Sequence, residues 1–228
     1  MSETAVTITV DGQSVQVPAG ATVLDACTAA GVDTPTICYA PNLTPVNVCR
    51  VCVVELDGSR TLVPSCSRGA EEGMVVQTDS ERVRHSRKMV LEFLGSAVEL
   101  DQAPQLDPWM ARYGADPARY GPAPATMDEP LRIQDDLYIR DYDRCVLCYR
   151  CVEACGDDAQ HTYAIAVSGR GFDARISTEY DVELPDSACV YCGNCVAVCP
   201  TNALQFKTEF DLRQAANWRP EEQTVTRT

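Results

Sequence analysis

The cysteines constrain this chain more than any other feature. The spacing Cys145-x2-Cys148-x2-Cys151-x3-Cys155 recurs as Cys189-x2-Cys192-x2-Cys195-x3-Cys199. Three cysteines two residues apart lie on a tight loop, where their sulfurs converge, while the fourth, three residues on, is expected to begin the next helix. An internal repeat of this kind is not produced by composition. A third group, Cys38-x10-Cys49-x2-Cys52-x13-Cys66, precedes them, and of the 13 cysteines only Cys27 is left over. The start of the chain has no basic stretch followed by an apolar run, and no segment approaches a membrane span. Thirteen cysteines in a signal-less chain of 228 residues read as metal ligation in a reducing, cytoplasmic compartment before they read as disulfides.

The spacing also selects the metal. Zinc sites are built from two C-x2-C pairs per ion. Here a triplet plus a distant fourth cysteine occurs twice, which is the arrangement that holds cubane iron–sulfur clusters, and in two-cluster ferredoxins the fourth cysteine ligates the other cluster. One [4Fe–4S] centre is therefore assigned to Cys145, Cys148, Cys151 and Cys199, and a second to Cys189, Cys192, Cys195 and Cys155. Pro200 after Cys199 completes the familiar ending, whereas Gly156 follows Cys155. The first group departs from the plant-type spacing, which has four residues in its first gap. Its order of helix, cysteine loop, strand and final cysteine still reads as a [2Fe–2S] domain with Cys38, Cys49, Cys52 and Cys66 as ligands. Cys27 is expected in the core.

Alternating residues around Asp11-Gly12 over 6–17 predict a hairpin, and 22–30 a short helix capped by Thr22 and ended by Gly31. Strands follow at 51–56, 61–64 and 74–77. Together these form a small α+β sheet domain of the β-grasp kind over 1–79. Ser80 opens a helix to about Leu94 with Val83, Met89, Val90, Phe93 and Leu94 on its apolar side. Proline-rich sequence over 101–130 predicts an irregular linker inside an 80–130 segment. A two-[4Fe–4S] ferredoxin domain is expected over 131–212, with a tail over 213–228. His85, among Arg82, Arg84, Arg87 and Lys88, reads as a solvated helix face. His161 is a candidate to pack near a cluster and tune it. Gly169-Arg170-Gly171-Phe172 lacks a third glycine and carries no nucleotide.

The chain resembles the N-terminal iron–sulfur region shared by the large iron–sulfur subunit of respiratory complex I, the small subunit of NAD-reducing hydrogenases and the catalytic subunit of NAD-dependent molybdenum or tungsten formate dehydrogenases. The gaps between Cys38 and Cys66 and the segment Val90-Leu91-Glu92-Phe93-Leu94 carry the resemblance. Tyr138-Ile139-Arg140-Asp141-Tyr142, Cys145-Val146-Leu147-Cys148, Gly169-Arg170-Gly171-Phe172-Asp173 and Phe206-Lys207-Thr208-Glu209-Phe210-Asp211-Leu212-Arg213 lean it towards formate dehydrogenase. In that family a histidine and three cysteines follow the helix; here Val98, Gln102 and Gln105 fall at the histidine and first two cysteine positions, so that further cluster is expected to be absent. The relatives continue past a segment like Gln223-Thr224-Val225-Thr226 into a pterin domain.

The resemblance implies an electron-transfer component with no substrate site of its own, passing electrons between a molybdopterin catalytic subunit and a flavin/NAD subunit. The equivalent subunit of a nickel–iron hydrogenase or complex-I-like enzyme is the alternative, with a cluster-bearing redox sensor or scaffold third. The formal charge of −14, from 33 acidic against 19 basic residues, argues against nucleic acid or anionic lipid as partner and against direct membrane insertion.

Overall fold

The computed structural model of the chain describes residues 5–121 and 129–215; the end of the linker over 122–128 and most of the tail, with Gln223-Thr224-Val225-Thr226, lie outside them. The hairpin is β1 (Ala5–Val10) paired antiparallel with β2 (Gln13–Pro18), turning at Asp11-Gly12 with positive φ at both. Helix α1 (Val23–Ala29) follows. Thr22 and Asp25 form a reciprocal capping box that satisfies two otherwise orphaned N–H groups. β3 (Val53–Leu56), β4 (Val63–Pro64) and β5 (Val75–Gln77) complete a five-stranded sheet in the order β2-β1-β5-β3-β4, with β1 and β5 parallel. Ile8, Val10, Val54, Val76 and Val23 fill the space between sheet and α1, and Cys27 is buried among them. The apolar alternation of the strands thus faces one helix, as a small half-buried sheet requires.

Helix α2 (Glu81–Ala97) starts at Ser80, whose hydroxyl accepts from the Val83 N–H, and runs three residues past the expected Leu94. Of the expected apolar side, Val83 is buried and Val90 and Leu94 pack at the edge of a core cluster, but Phe93 is not part of the buried face. Phe93 is 50% exposed and stacks on Tyr120, while Arg87 and Glu92 are buried beside Val83 and Leu91. Arg87 donates to the Val53 carbonyl (2.9 Å) and the Tyr113 hydroxyl (2.6 Å), pinning α2 to β3 and to the next helix. Glu92 receives Lys88 at 3.7 Å and Arg119 at 3.3 Å.

The proline-rich segment is also more ordered than its composition predicts. It contains α3 (Asp107–Tyr113), started by a 3-10 turn at Pro104–Leu106 and ended by Gly114 at φ 59°. A proline in the first turn gives up an N–H that no helix bond needs. This strap folds back on α2, where Gly95 faces Pro117 with no room for a Cβ.

The second half is built on β6 (Tyr138–Arg140), α4 (Arg150–Cys155), the hairpin of β7 (Ala166–Ser168) and β8 (Arg175–Ser177), α5 (Asn194–Ala197), β9 (Leu204–Phe206) and α6 (Lys207–Ala215). β6 pairs antiparallel with β9, so the two ends of this half close on each other. Gly169-Arg170-Gly171 makes the β7–β8 turn, with positive φ at both glycines. The fold is α+β, a five-stranded sheet domain followed by a compact cysteine-rich one. Among the described residues, no helix is long and apolar enough to cross a membrane.

Asp181 ties β8 to the chain entering β6 through Arg132 (2.6 Å), Ser177 (2.8 Å) and Arg175 (3.2 Å). The Arg132 hydrogen bond is the main cause that holds its carboxyl at about 2. A depressed carboxylate contributes stability that is present above its unfolded pKa and is lost as pH falls through the folded one. Asp181→Asn is therefore expected to cost about 1 kcal/mol at neutral pH, solvent screening of a partly exposed pair keeping it small, and only a small fraction of that at pH near 2. Urea unfolding at the two pH values checks this.

Candidate metal centres

Two cavities in the second half are each ringed by four cysteines. One is lined by Cys145, Cys148, Cys151 and Cys199, the other by Cys155, Cys189, Cys192 and Cys195. In each cavity three cysteines come from one repeat and the fourth from the other. The local arrangement differs from the expected one in one respect. The fourth cysteine does not begin a helix: Cys155 ends α4, and Cys199 follows α5. The third cysteine of each motif lies in the first turn of the same helix, so Cys151 and Cys155, four apart, project from one face into different cavities.

The loops repeat in their backbone as well as their sequence. Leu147 and Tyr149 have φ of 49° and 64°, and their counterparts Tyr191 and Gly193 have 55° and 79°. Left-handed backbone at leucine and tyrosine costs about 1 kcal/mol each and persists only where the surroundings impose it. Here it turns N–H groups inward: that of Leu147 donates to the Cys145 sulfur, and that of Tyr191 to Cys189 at 3.4 Å. Cys155 receives the Ala164 N–H at 3.2 Å and lies 3.4 Å from the Thr162 hydroxyl. His161 is exposed on the loop before Thr162, and the contacts with the Cys155 sulfur are made by Thr162 and Ala164 instead. Sequence reasoning misses Thr162 because a hydroxyl in a loop carries no spacing signal. His85 is exposed, as a solvated helix face requires.

Burial pushes the Cys145 and Cys195 thiols up to about 12 and Cys148 to about 11, and raises Cys151 and Cys189 as well. Such sulfurs stay protonated at neutral pH until a cation replaces the proton, which is the expected behaviour of buried metal ligands. Donor chemistry and cavity both fit a polynuclear iron site. Among the described residues no group of three or more His, Cys, Asp or Glu side chains is arranged to hold a metal ion.

In the sheet domain, Cys38, Cys49, Cys52 and Cys66 come together on the edge facing α1. Cys52 and Cys66 have sulfurs 3.4 Å apart. Cys38 is pushed down because the thiols of Cys49 and Cys66 donate to it, and those two are pushed up in return. Asn47 and Arg50 hold positive φ in the loop between Cys38 and Cys52. Four soft sulfur donors in mutual contact fit a small two-iron centre.

The sites are packed against one another. Cys38 and Cys148 share a buried cluster with Ile37, Val51 and Leu91. Ala40 and Leu43 of the Cys38 loop pack on Tyr138 and Cys151, and Thr44 hydrogen-bonds Asp158 through its N–H (2.6 Å) and hydroxyl (2.8 Å). Val98 is buried at the end of α2. Gln102 receives Arg213 at 2.6 Å, and Gln105 donates to the Pro200 carbonyl beside Cys199, so both side chains fasten the strap to the second half.

Residues 3–81 match the 2Fe-2S iron-sulfur cluster binding domain family, and residues 144–203 the 4Fe-4S dicluster domain family. The chain is similar to the NADP-reducing hydrogenase subunit HndD of Solidesulfovibrio fructosivorans, 38% identical over 87% of this chain and 35% of that one. It is also similar to an NADH-quinone oxidoreductase subunit of Rhizobium meliloti, 35% identical over 86% of this chain and 23% of the relative. It therefore spans about a third or less of the length of these curated relatives. A chain in the solved NAD+-reducing [NiFe]-hydrogenase in the H2-reduced state superposes with a TM-score of 0.77 at 28% identity, covering 89% of this chain and 87% of that one. The chain thus combines a [2Fe–2S] domain with a two-[4Fe–4S] domain.

The Thr44–Asp158 link predicts that Asp158→Ala loosens the Cys38 loop from the second half. Hydrogen exchange of the Thr44 amide and its neighbours should speed up, with the β1–β2 hairpin unchanged.

Proposed function

We propose that this chain is the electron-relay component of a multi-subunit NAD(P)-linked oxidoreductase. Cys38, Cys49, Cys52 and Cys66 hold a [2Fe–2S] cluster. Cys145, Cys148, Cys151 and Cys199 hold the first [4Fe–4S] cluster, and Cys189, Cys192, Cys195 and Cys155 the second. The grouping of the eight later cysteines around two cavities is the observation that carries the reading. When bound, such clusters exchange single electrons at potentials set by charge, hydrogen bonds and burial.

The chain's own residues make the route. Cys38 and Cys148 meet in one apolar cluster, which puts the two-iron site next to the first cubane with packed side chains rather than water between them. Leu204 lines both cubane cavities, and α4 bridges them through Cys151 and Cys155, as Cys195 in α5 and Cys199 just after it do on the other side. Tyr138 closes the second site, its hydroxyl donating to the Tyr191 carbonyl at 2.7 Å and its ring stacked on that of Tyr191. Cys192 is exposed, so the second cubane is the one nearest the surface and the natural port to a partner. The domain division of 1–79, 80–130, 131–212 and 213–228 is retained within this reading, as is a cytoplasmic location.

The segments around Tyr138, Gly169 and Phe206 support a molybdenum or tungsten formate dehydrogenase as the catalytic partner, with a flavin/NAD subunit at the other end. The hydrogenase and NADH-quinone oxidoreductase relatives support a second reading, in which the partner is a nickel–iron hydrogenase or complex-I-like assembly. Molybdenum or tungsten in proportion to the chain in the anaerobically isolated complex selects the first; nickel selects the second.

The ligand crossing is tested by single replacements. Cys199→Ser and Cys145→Ser should perturb the same [4Fe–4S] EPR signal, and Cys155→Ser should perturb the signal altered by Cys189→Ser. If Cys199→Ser instead alters the Cys189 signal, each motif ligates its own cluster. Cys148→Ala should abolish electron delivery to NAD while sparing dye-linked activity at the partner's own site.

A further inference from the structure

Arg140, at the end of β6, is 1% exposed and lines the cavity ringed by Cys155, Cys189, Cys192 and Cys195. Its Nη2 donates to the Gln134 side-chain oxygen, while its Nη1 is buried without a partner. Asp135, next to Gln134 in the chain, forms no ion pair with Arg140; its carboxylate accepts the N–H groups of Leu137 and Tyr138 through Oδ1. Among the described residues the guanidinium therefore has no ion pair within 4 Å. A buried cation without a counter-ion is strongly unfavourable, and arginine does not escape by losing its proton. What this position needs is an anion in the cavity. A cubane held by four thiolates is net negative in both of its working oxidation states, and more so when reduced.

Arg140 also stands at the junction of the two cubane sites. Its strand partner Leu204 lines both cavities. Tyr142, two residues on, lines the first cavity, and its buried hydroxyl faces the Arg140 guanidinium, which opposes the rise that burial gives it.

We propose that Arg140 is a positioning residue for charge: a fixed buried cation that neutralises the second [4Fe–4S] cluster and raises its reduction potential, making it the electron sink of the pair. The inference rests on the cluster assignment above. Each reduction adds one electron, supplied in the test by dithionite, to the cluster; no bond forms or breaks at Arg140 and its charge does not change. Because the charge is shielded from solvent, its effect is only weakly screened by salt.

The test is an EPR-monitored redox titration of the anaerobically isolated complex carrying Arg140→Met, Arg140→Gln or Arg140→Lys, at low and high salt. The neutral variants should leave the second cubane about tenfold less reduced at a given potential, a fall of about 59 mV for one electron, at both salt levels. Arg140→Lys should stay close to the unaltered protein, and the [2Fe–2S] midpoint should not move. Neutral variants with full iron content and an unchanged midpoint overturn the proposal and leave Arg140 a structural residue. If both neutral variants lose the cluster, Arg140→Lys decides: retention of cluster and midpoint supports the charge, whereas loss there too overturns it. Absence of iron from the unaltered protein would instead refute the cluster reading on which the inference rests.

Discussion

Everything in the second half of the molecule follows from each cysteine cavity being closed by a residue of the other repeat. Cys199 completes the ring begun at Cys145, and Cys155 the ring begun at Cys189. Neither half of the repeat can form its site alone, so α4, α5 and the β6–β9 pair assemble together around the sulfurs. A domain of this size has little apolar interior with which to stabilise itself, and in the proposed reading polynuclear metal would supply cross-links in its place. The left-handed residues Leu147, Tyr149 and Tyr191 are the local strain of bending the loops so that sulfurs and N–H groups face inward.

Shared packing of the same kind joins the halves of the chain. The Cys38 loop has no regular secondary structure, yet its residues reach two cores: Ile37 and Cys38 pack with Cys148, while Ala40 and Leu43 pack with Cys151. The strap over 101–121 adds Gln102 and Gln105 from one side, and Thr44 meets Asp158 from the other. Val98, Gln102 and Gln105 serve as packing and hydrogen-bond anchors, the two glutamines fastening the strap to the dicluster part. Buried charge is sparse along this seam. Arg87 holds α2 to the sheet through neutral partners, and Arg140 lies in the wall of the second cubane cavity.

Much of this is legible in the sequence because cysteine spacing reports directly on ligand geometry, and because Asp11-Gly12, Thr22 and Ser80 are strong local signals for a turn and two caps. What escapes is whatever depends on tertiary partners. Helical periodicity puts Phe93 in the core, but Arg87 and Glu92 take the buried face because α3 and the Pro117 turn supply polar partners there. Proline content suggests an irregular strap, yet Pro104 and Pro108 start helical turns, where a missing N–H is no loss. His161 draws attention for its chemistry, while Thr162, without any motif, makes the contact with Cys155.

The most direct test of the account is the iron and acid-labile sulfide content of the anaerobically isolated protein, measured with zinc on the same sample. One [2Fe–2S] and two [4Fe–4S] clusters predict about ten iron and about ten sulfide per chain, with zinc negligible. Zinc in place of iron, or about two iron per chain with the eight later cysteines free to react with thiol reagents, would contradict the crossed-cubane architecture from which the rest is derived.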